Sequence, residues 1–240
     1  MCIRDRKNTN IKVIYYGHDL HFLREYREYE LTGDIKKKRE SDYWKSIEFS
    51  LMEKAAVSYY PSYVEEEAIH AIHPEYKIKA ITAYVYEKFL ENIDKDFAKR
   101  EGLLFVGGFA HPPNADAVLW FAKEIFPLIR QRIDVNFYVV GSKVTDEIKA
   151  LEQPGSGIIV KGFVTEEELA SLYSTSRIVV VPLRYGAGVK GKVVEAVYNG
   201  AAIVTTSIGA EGIPEAGDIM RIADEPEEFA GAVVSLYNDP

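Results

Sequence analysis

The chain has 240 residues, 47% of them hydrophobic and 28% charged, and these fractions exclude a disordered or fibrous protein. Lys and Arg number 29 against 37 Asp and Glu, so the net charge of −8 disfavours binding to nucleic acid. The single cysteine, Cys2, excludes an intrachain disulfide. No apolar run approaches the ~20 residues of a membrane span, and no signal peptide is visible. We therefore expect a globular cytoplasmic protein.

The first segment, residues 1–95, has the pattern of an incomplete α/β domain. Its apolar runs predict strands at 11–16, 56–60 and 78–83 and helices at 42–55 and 63–72. The basic run Lys36–Arg39 is followed by Glu40 and Asp42, which indicates a solvated helix end rather than a nucleic-acid or membrane patch. These elements are too few for a whole doubly wound domain, so we expect the back half of one. Whether residues 1–6 are native is a separate question that the sequence leaves open.

The second segment, residues 96–240, follows a polar stretch at 91–102 that suits a linker. Strands are predicted at 103–106, 135–140, 158–160, 178–181, 201–205 and 219–223, and helices at 114–129, 165–173, 189–198 and 227–237. Pro127 is expected to kink or end its helix, and Thr165 with Glu168 forms a capping box. The alternation of short strands and helices predicts βαβ units, a parallel sheet and a Rossmann-like domain. Ligands of such sheets bind beyond the carboxyl ends of the strands, here after Val106, Val181 and Thr205.

The loop at 182–196 has the composition of a diphosphate site. Its glycines allow close approach of the backbone, and a helix that starts here directs free N–H groups and a positive dipole end outward. Arg184, Lys190 and Lys192 add positive charge at the same place. The alternative is a glycine-rich turn with surface lysines.

Residues 186–191 also match the dinucleotide pattern G-x-G-x-x-G. The match follows the fourth strand of its domain rather than the first. The next strand ends in Thr205-Thr206-Ser207, where an acidic group for the ribose would be expected. NAD binding is therefore disfavoured.

Several motifs together resemble those of the retaining GT-B glycosyltransferases of group 1, family 4. The motifs lie between Phe105 and Glu211: residues 105–109, 113–117 with Trp120-Phe121, 162–164, 182–184, 186–192, 195–196 and 209–212. The block around Lys192 and Glu195 is the specific one, and residues 16–25 look like a segment that follows an acceptor-domain strand. The resemblance implies a GT-B-like fold of two Rossmann-like domains with parallel sheets, an incomplete acceptor-side domain at 1–95 and a nucleotide-sugar domain at 96–240.

The resemblance also implies a function and a set of residues. A sugar would move from a nucleoside-diphosphate sugar to a glycan or lipid-linked acceptor, with retention, without a metal or other cofactor, and with possible peripheral membrane contact. Lys190 and Lys192, with Arg184, would hold the diphosphate, and Glu195 the ribose. The remaining implied positions are Gly107, Gly108 and Gly188 near the phosphates or sugar, Phe163 near the base, Glu211 at the sugar pocket, and His18 as the catalytic residue.

Two departures from the family pattern leave other functions open. Many relatives carry a glutamate where this chain has Ala187, and an Arg and a Lys where it has residues 108–113. The alternatives are a non-catalytic or truncated nucleotide-sugar-binding module, for which we expect donor binding with weak turnover, and a GT-B-like epimerase.

The histidine-rich segment at residues 18–21 has three interpretations. His18, Asp19 and His21 are metal-ligand types, but a third well-spaced ligand is not evident. A structural histidine at a strand end and a catalytic or acceptor-positioning histidine are the other two, and the last depends mostly on the resemblance.

Overall fold

The computed structural model describes residues 12–82, 84–88 and 97–238. The strands are β1 (Ile14–Tyr16), β2 (Val57–Tyr60), β3 (Ile78–Ala80), β4 (Leu103–Val106), β5 (Phe137–Val140), β6 (Ile158–Gly162), β7 (Ile178–Val181), β8 (Ala202–Thr205) and β9 (Arg221–Ile222). The helices are α1 (His21–Thr32), α2 (Ile35–Lys54), α3 (Tyr63–His70), α4 (Pro112–Trp120), α5 (Phe126–Arg130), α6 (Asp146–Lys149), α7 (Glu166–Thr175), α8 (Gly191–Tyr198), α9 (Ser207–Ala210), α10 (Ala216–Ile219) and α11 (Pro226–Asn238).

Internal packing divides the chain into two compact units. The first comprises residues 1–85, 185–189 and 211–213, and the second comprises 86–184, 190–210 and 214–240. Half of the predicted linker at 91–102, residues 91–96, lies outside the described residues. The predicted boundary between 95 and 96 therefore stays a prediction.

The first unit is built on a parallel three-stranded sheet in the order β1-β2-β3. Its core is a cluster of apolar side chains from the strands and helices: Leu20, Phe22, Met52, Tyr60, Ile69 and Ile78. Helix α2 begins earlier than the predicted 42, because the Asp34 side chain accepts a hydrogen bond from the N–H of Lys36 at 2.9 Å. The basic run at 36–39 therefore lies in the first turns of this helix.

Helix α1 was not predicted from the sequence. The Glu48 carboxylate, 2% exposed, accepts hydrogen bonds from the N–H groups of His21 and Phe22 at 2.9 and 3.2 Å. A side chain 26 residues away thus satisfies donors that a local N-cap would otherwise bind. A cap supplied from so far along the chain cannot be predicted from the residues next to the helix start.

The second unit has a parallel six-stranded sheet in the order β6-β5-β4-β7-β8-β9. All four residues of β7 are buried, as expected for a strand with helices on both faces. The strand order reverses between β4 and β7, and a parallel sheet of this kind binds ligands at the carboxyl ends of the strands flanking the reversal. The predicted α/β fold is confirmed, and its topology directs attention to residues 107–109 and 182–184.

The long helical run after β4 accommodates Pro127 in an unexpected way. A π-helical turn at Phe121–Ile125 joins α4 to α5, so the proline falls in the first turn of α5, where its missing N–H costs little. The helix therefore neither ends at Pro127 nor loses its buried face, which includes Phe121, Ile125 and Ile129.

The end of β4 depends on a glycine at the end of β5. Gly141 has φ of +154°, and a Cβ at this position would lie 1.9 Å from the carbonyl oxygen of Gly107. We expect Gly141→Ala to lower the free energy of unfolding by about 3 kcal/mol, because the clash is with backbone. Chemical denaturation measures the change. Gly217→Ala is the control, since nothing lies within 4 Å of its added Cβ, and an equal loss in both variants would contradict the prediction.

Candidate functional site

The loop after β4 is held against the first turns of α4. Asn114, only 6% exposed, donates its side-chain N–H to the carbonyl oxygen of Gly108 at 2.8 Å. A Cβ on Gly107 would lie 3.0 Å from both the Asn114 side chain and the Nζ of Lys192. A larger residue at 107 would therefore displace the lysine. The predicted helix starts at 114, whereas α4 begins at Pro112, and the Asn114 side chain orders this loop.

Lys192 brings a positive charge to the end of β4. Its ammonium donates a hydrogen bond to the side-chain oxygen of Asn114 and lies 5.0 Å from the ring centroid of Phe105. Burial, together with the neighbouring charge of Lys190, lowers the pKa of the Lys192 ammonium to about 7. Among the described residues, no carboxylate forms a salt bridge with it. A partly buried cation without a carboxylate partner is costly unless an anion binds there.

Helix α8 begins beside this ammonium. Lys190 occupies its N-cap position, and no side chain of the described residues caps it. The helix therefore presents backbone donors and the positive end of its dipole at the same place as Lys192. The predicted start at Val189 is two residues early.

Glu195 lies one turn further along α8. The spacing of three residues from Lys192 puts both side chains on one helix face, about 4.5 Å apart along the axis. The Tyr173 hydroxyl donates a hydrogen bond to Oε2 of Glu195 at 3.3 Å. Burial raises the pKa of the Glu195 carboxyl, and the hydrogen bond from Tyr173 lowers it in part.

Arg184, after β7, is already paired. Both its Nε and a terminal nitrogen donate to the Asp116 carboxylate, and its guanidinium lies 5.6 Å from the centroid of a Trp120 ring. A bidentate pair of this kind neutralises the guanidinium. The structure thus brings Lys192 to the end of β4 and engages Arg184 with a carboxylate on α4.

Phe163 follows β6 and is 80% exposed. Gly162 before it has φ of +70°, a left-handed conformation that favours glycine and turns the chain at the end of the strand. An exposed aromatic ring at the carboxyl edge of the sheet can stack on a planar group.

Three of the expected site residues belong to the first unit: His18, Gly188 and Glu211. His18 is exposed, with its ring edge-on to Tyr16 at a centroid distance of 5.3 Å. Gly188 has φ of +75°, and a Cβ there would lie 2.9 Å from the carbonyl oxygen of His18. The packing of residues 185–189 against His18 therefore requires glycine at 188.

Glu211 is held by an arginine that the sequence analysis did not single out. Arg27 donates to both Glu211 oxygens, at 2.9 and 2.6 Å, and to the carbonyl oxygen of Gly186 at 2.6 Å. It therefore ties residues 185–189 and 211–213 to α1. Nothing in the pattern of α1 distinguishes Arg27 from Arg24.

The metal alternative at residues 18–21 gains no support from the geometry. Nδ1 of His21 lies 3.1 Å from Glu48, whose hydrogen bond raises the pKa of His21, and Arg24 pairs with Asp19. Within residues 12–82, 84–88 and 97–238, no group of three or more His, Cys, Asp or Glu side chains is placed to hold a metal ion. Across the same residues, no helix combines the length and the apolar character that crossing a membrane requires.

The second unit has a Rossmann-like fold with a parallel sheet, and comparison with known proteins gives the family. Residues 100–239 match the family described as "Glycosyl transferases group 1". The chain belongs to the group 1 glycosyltransferases, as its motifs predicted. A Klebsiella pneumoniae protein described as an "Uncharacterized 44.6 kDa protein in cps region" is 28% identical over 166 residues, 66% of this chain and 41% of that protein.

Solved structures show the same fold. S. aureus TarM has a TM-score of 0.73 at 14% identity, with 98% of this chain and 45% of TarM covered. Sucrose-phosphate synthase from Thermosynechococcus elongatus has a TM-score of 0.73 at 18% identity, with 98% of this chain and 61% of the synthase covered. Anabaena HepE in complex with UDP has a TM-score of 0.64 at 17% identity, with 95% of this chain and 63% of HepE covered. The chain thus spans less than two thirds of the length of these relatives.

Proposed function

We propose that the second unit binds a nucleoside-diphosphate sugar, as the donor-binding part of a glycosyltransferase acting on a glycan or lipid-linked acceptor. The observation that carries the proposal is the Lys192 ammonium, partly buried at the start of α8 and without a carboxylate partner among the described residues. A diphosphate would supply the missing counter-charge.

The chemistry of sugar transfer explains why such a cation is needed. Breaking the bond between the anomeric carbon and the phosphate oxygen leaves negative charge on the departing diphosphate. Lys192, Lys190 and the start of α8 would stabilise that charge as it develops. We propose that they do so without a metal, and that transfer proceeds with retention at the anomeric carbon.

The other donor contacts follow from the order of groups in a nucleoside diphosphate. Glu195, one turn beyond Lys192, would accept hydrogen bonds from the ribose, and the exposed ring of Phe163 would lie near the base. The solved relatives bound to UDP support uridine as the first nucleoside to test. His18 stays the candidate catalytic residue of the first unit.

Calorimetric titration with UDP, GDP and dTDP, each with and without EDTA, tests the proposal. We expect at least one nucleotide to bind, EDTA to leave its affinity unchanged, and Lys192→Ala to weaken binding by about a hundredfold or more. Lys123→Ala removes an exposed, differently placed ammonium and is the matched control. No binding of any of the three nucleotides by the unaltered chain would overturn the proposal.

A second candidate function is donor binding without transfer, and Ala187 favours it. A methyl group stands where many relatives place a carboxylate that contacts the sugar. Incubation with a UDP-sugar and release of free UDP separate the candidates, since a binding module takes up the donor without cleaving it.

A further inference from the structure

Within the part of the chain that the structure describes, the Tyr173 hydroxyl is the one side-chain hydrogen-bond partner of the Glu195 carboxylate. Tyr173 lies on α7, is 1% exposed, and has little freedom to move its ring. A buried tyrosine hydroxyl needs a hydrogen-bond partner, and here it finds Oε2 of Glu195 at 3.3 Å. The contact therefore fixes one carboxylate oxygen relative to a rigid part of the core.

No cationic partner among residues 12–82, 84–88 and 97–238 explains the position of the Glu195 carboxylate. Among the described residues, no Lys or Arg forms a salt bridge with Glu195, although its side chain is partly buried. The hydrogen bond from Tyr173 favours the ionised form, which can only accept hydrogen bonds. One oxygen is engaged with Tyr173, and the other retains its capacity for donors from a ligand.

We propose that Tyr173 is a positioning residue that orients Glu195 toward the hydroxyls of a bound ribose, and that the pair selects ribonucleoside over 2′-deoxyribonucleoside diphosphates. The inference rests on the proposed function, because it requires the diphosphate at Lys192. Two vicinal ribose hydroxyls donate to one carboxylate only if that group is held at a suitable angle. Loss of the 2′-hydroxyl removes one of these donors and leaves one hydrogen-bond acceptor of the Glu195 carboxylate without a donor from the ligand.

The test compares UDP with 2′-deoxy-UDP in the unaltered chain and in Tyr173→Phe. We expect the unaltered chain to prefer UDP by about tenfold, the ratio typical of one hydrogen bond to a charged group. Tyr173→Phe should lower that preference to about twofold, mainly through weaker UDP binding, while 2′-deoxy-UDP binds nearly as before. Equal preference in the variant and the unaltered chain would overturn the inference.

Two further variants separate positioning from a structural role. Tyr198→Phe removes another hydroxyl, from α8 itself, and should keep the preference for UDP. In a Glu195→Gln background, Tyr173→Phe should change UDP binding by less than about twofold, because the group through which Tyr173 acts is gone. An undiminished effect of Tyr173→Phe in that background would show that it acts through packing and would overturn the inference.

The failure of the inference is distinguishable from that of the proposed function. If the unaltered chain binds none of UDP, GDP and dTDP, the donor site itself is wrong and both fall, whereas binding of dTDP in preference to UDP and GDP overturns the inference alone. If it binds UDP and 2′-deoxy-UDP equally well, the donor site stands and the ribose contact by Glu195 and Tyr173 is overturned. Thermal unfolding of each variant with and without UDP shows whether lost binding reflects lost folding.

Discussion

Replacing Lys192 with methionine is expected to weaken UDP binding by about a hundredfold, as for loss of two charge-assisted hydrogen bonds. Methionine keeps most of the side-chain volume against Phe105 and removes only the ammonium. The loss is large because the site is partly buried, where a cation and a diphosphate attract each other more strongly than in water. Calorimetry measures the two affinities.

Two other substitutions make this prediction specific. Lys123→Met removes the same charge from an exposed site and should change the affinity by less than about twofold, since exposed charges are screened. Arg184→Met should cost less affinity than Lys192→Met, because Asp116 already neutralises the guanidinium. A greater loss in Arg184→Met would show that the arginine leaves Asp116 to bind the diphosphate, and would contradict our assignment.

UDP affinity is expected to fall as the pH rises from 7.5 to 8.5, by about tenfold. In the free protein the pKa of Lys192 is about 7, so its side chain is mostly the neutral amine at pH 8. A bound diphosphate favours the charged form and raises this pKa. Binding above pH 7 therefore takes up a proton, and the affinity falls by up to one decade per pH unit.

Calorimetry in buffers of different ionisation enthalpy measures the proton uptake directly. We expect binding to take up nearly one proton per UDP at pH 8 in the unaltered chain. In Lys192→Met this uptake should be lost, because methionine does not titrate. An affinity that stays constant from pH 7.5 to 8.5 would contradict the prediction. It would mean that Lys192 is already charged before the nucleotide binds.

The same pKa sets the sign of a stability effect in the free protein. Lys192 has a lower pKa in the folded chain than the ordinary 10.5, so the unfolded chain binds more protons between pH 7 and 10. Stability from this group therefore rises with pH across that range, whereas nucleotide affinity falls. The opposite signs are expected of a buried group that is kept for binding rather than for stability.

The elements predicted most accurately from the sequence are β4 and β7, both with the observed bounds. Each is a short run of apolar residues bounded by glycine or proline. Such a run is typical of a central strand of a parallel sheet, which is buried on both faces. Helix α1 was missed because its first donors are satisfied by Glu48, far away in the chain. Local patterns carry no information about such a contact.

The candidate site was predicted only in part. Lys192 and Glu195 are three residues apart, so their common face follows from helix geometry alone. Tyr173 was predicted only as the end of a helix at 165–173. Its hydrogen bond to Glu195 was not foreseen, because the two residues are 22 positions apart in the chain. Arg184 was expected at the diphosphate, and its pairing with Asp116, 68 residues distant, was not foreseen.

The amino-acid sequence by itself determined the α/β class, the order of the strands along the second unit and the cationic glycine-rich start of α8. These properties depend on apolar periodicity and on residues close together in the chain. The tertiary structure alone decided which charges are already paired and which stay available to a ligand. The reason is that a partner many residues distant, such as Asp116 for Arg184 or Tyr173 for Glu195, is chosen by how the sheet and helices pack.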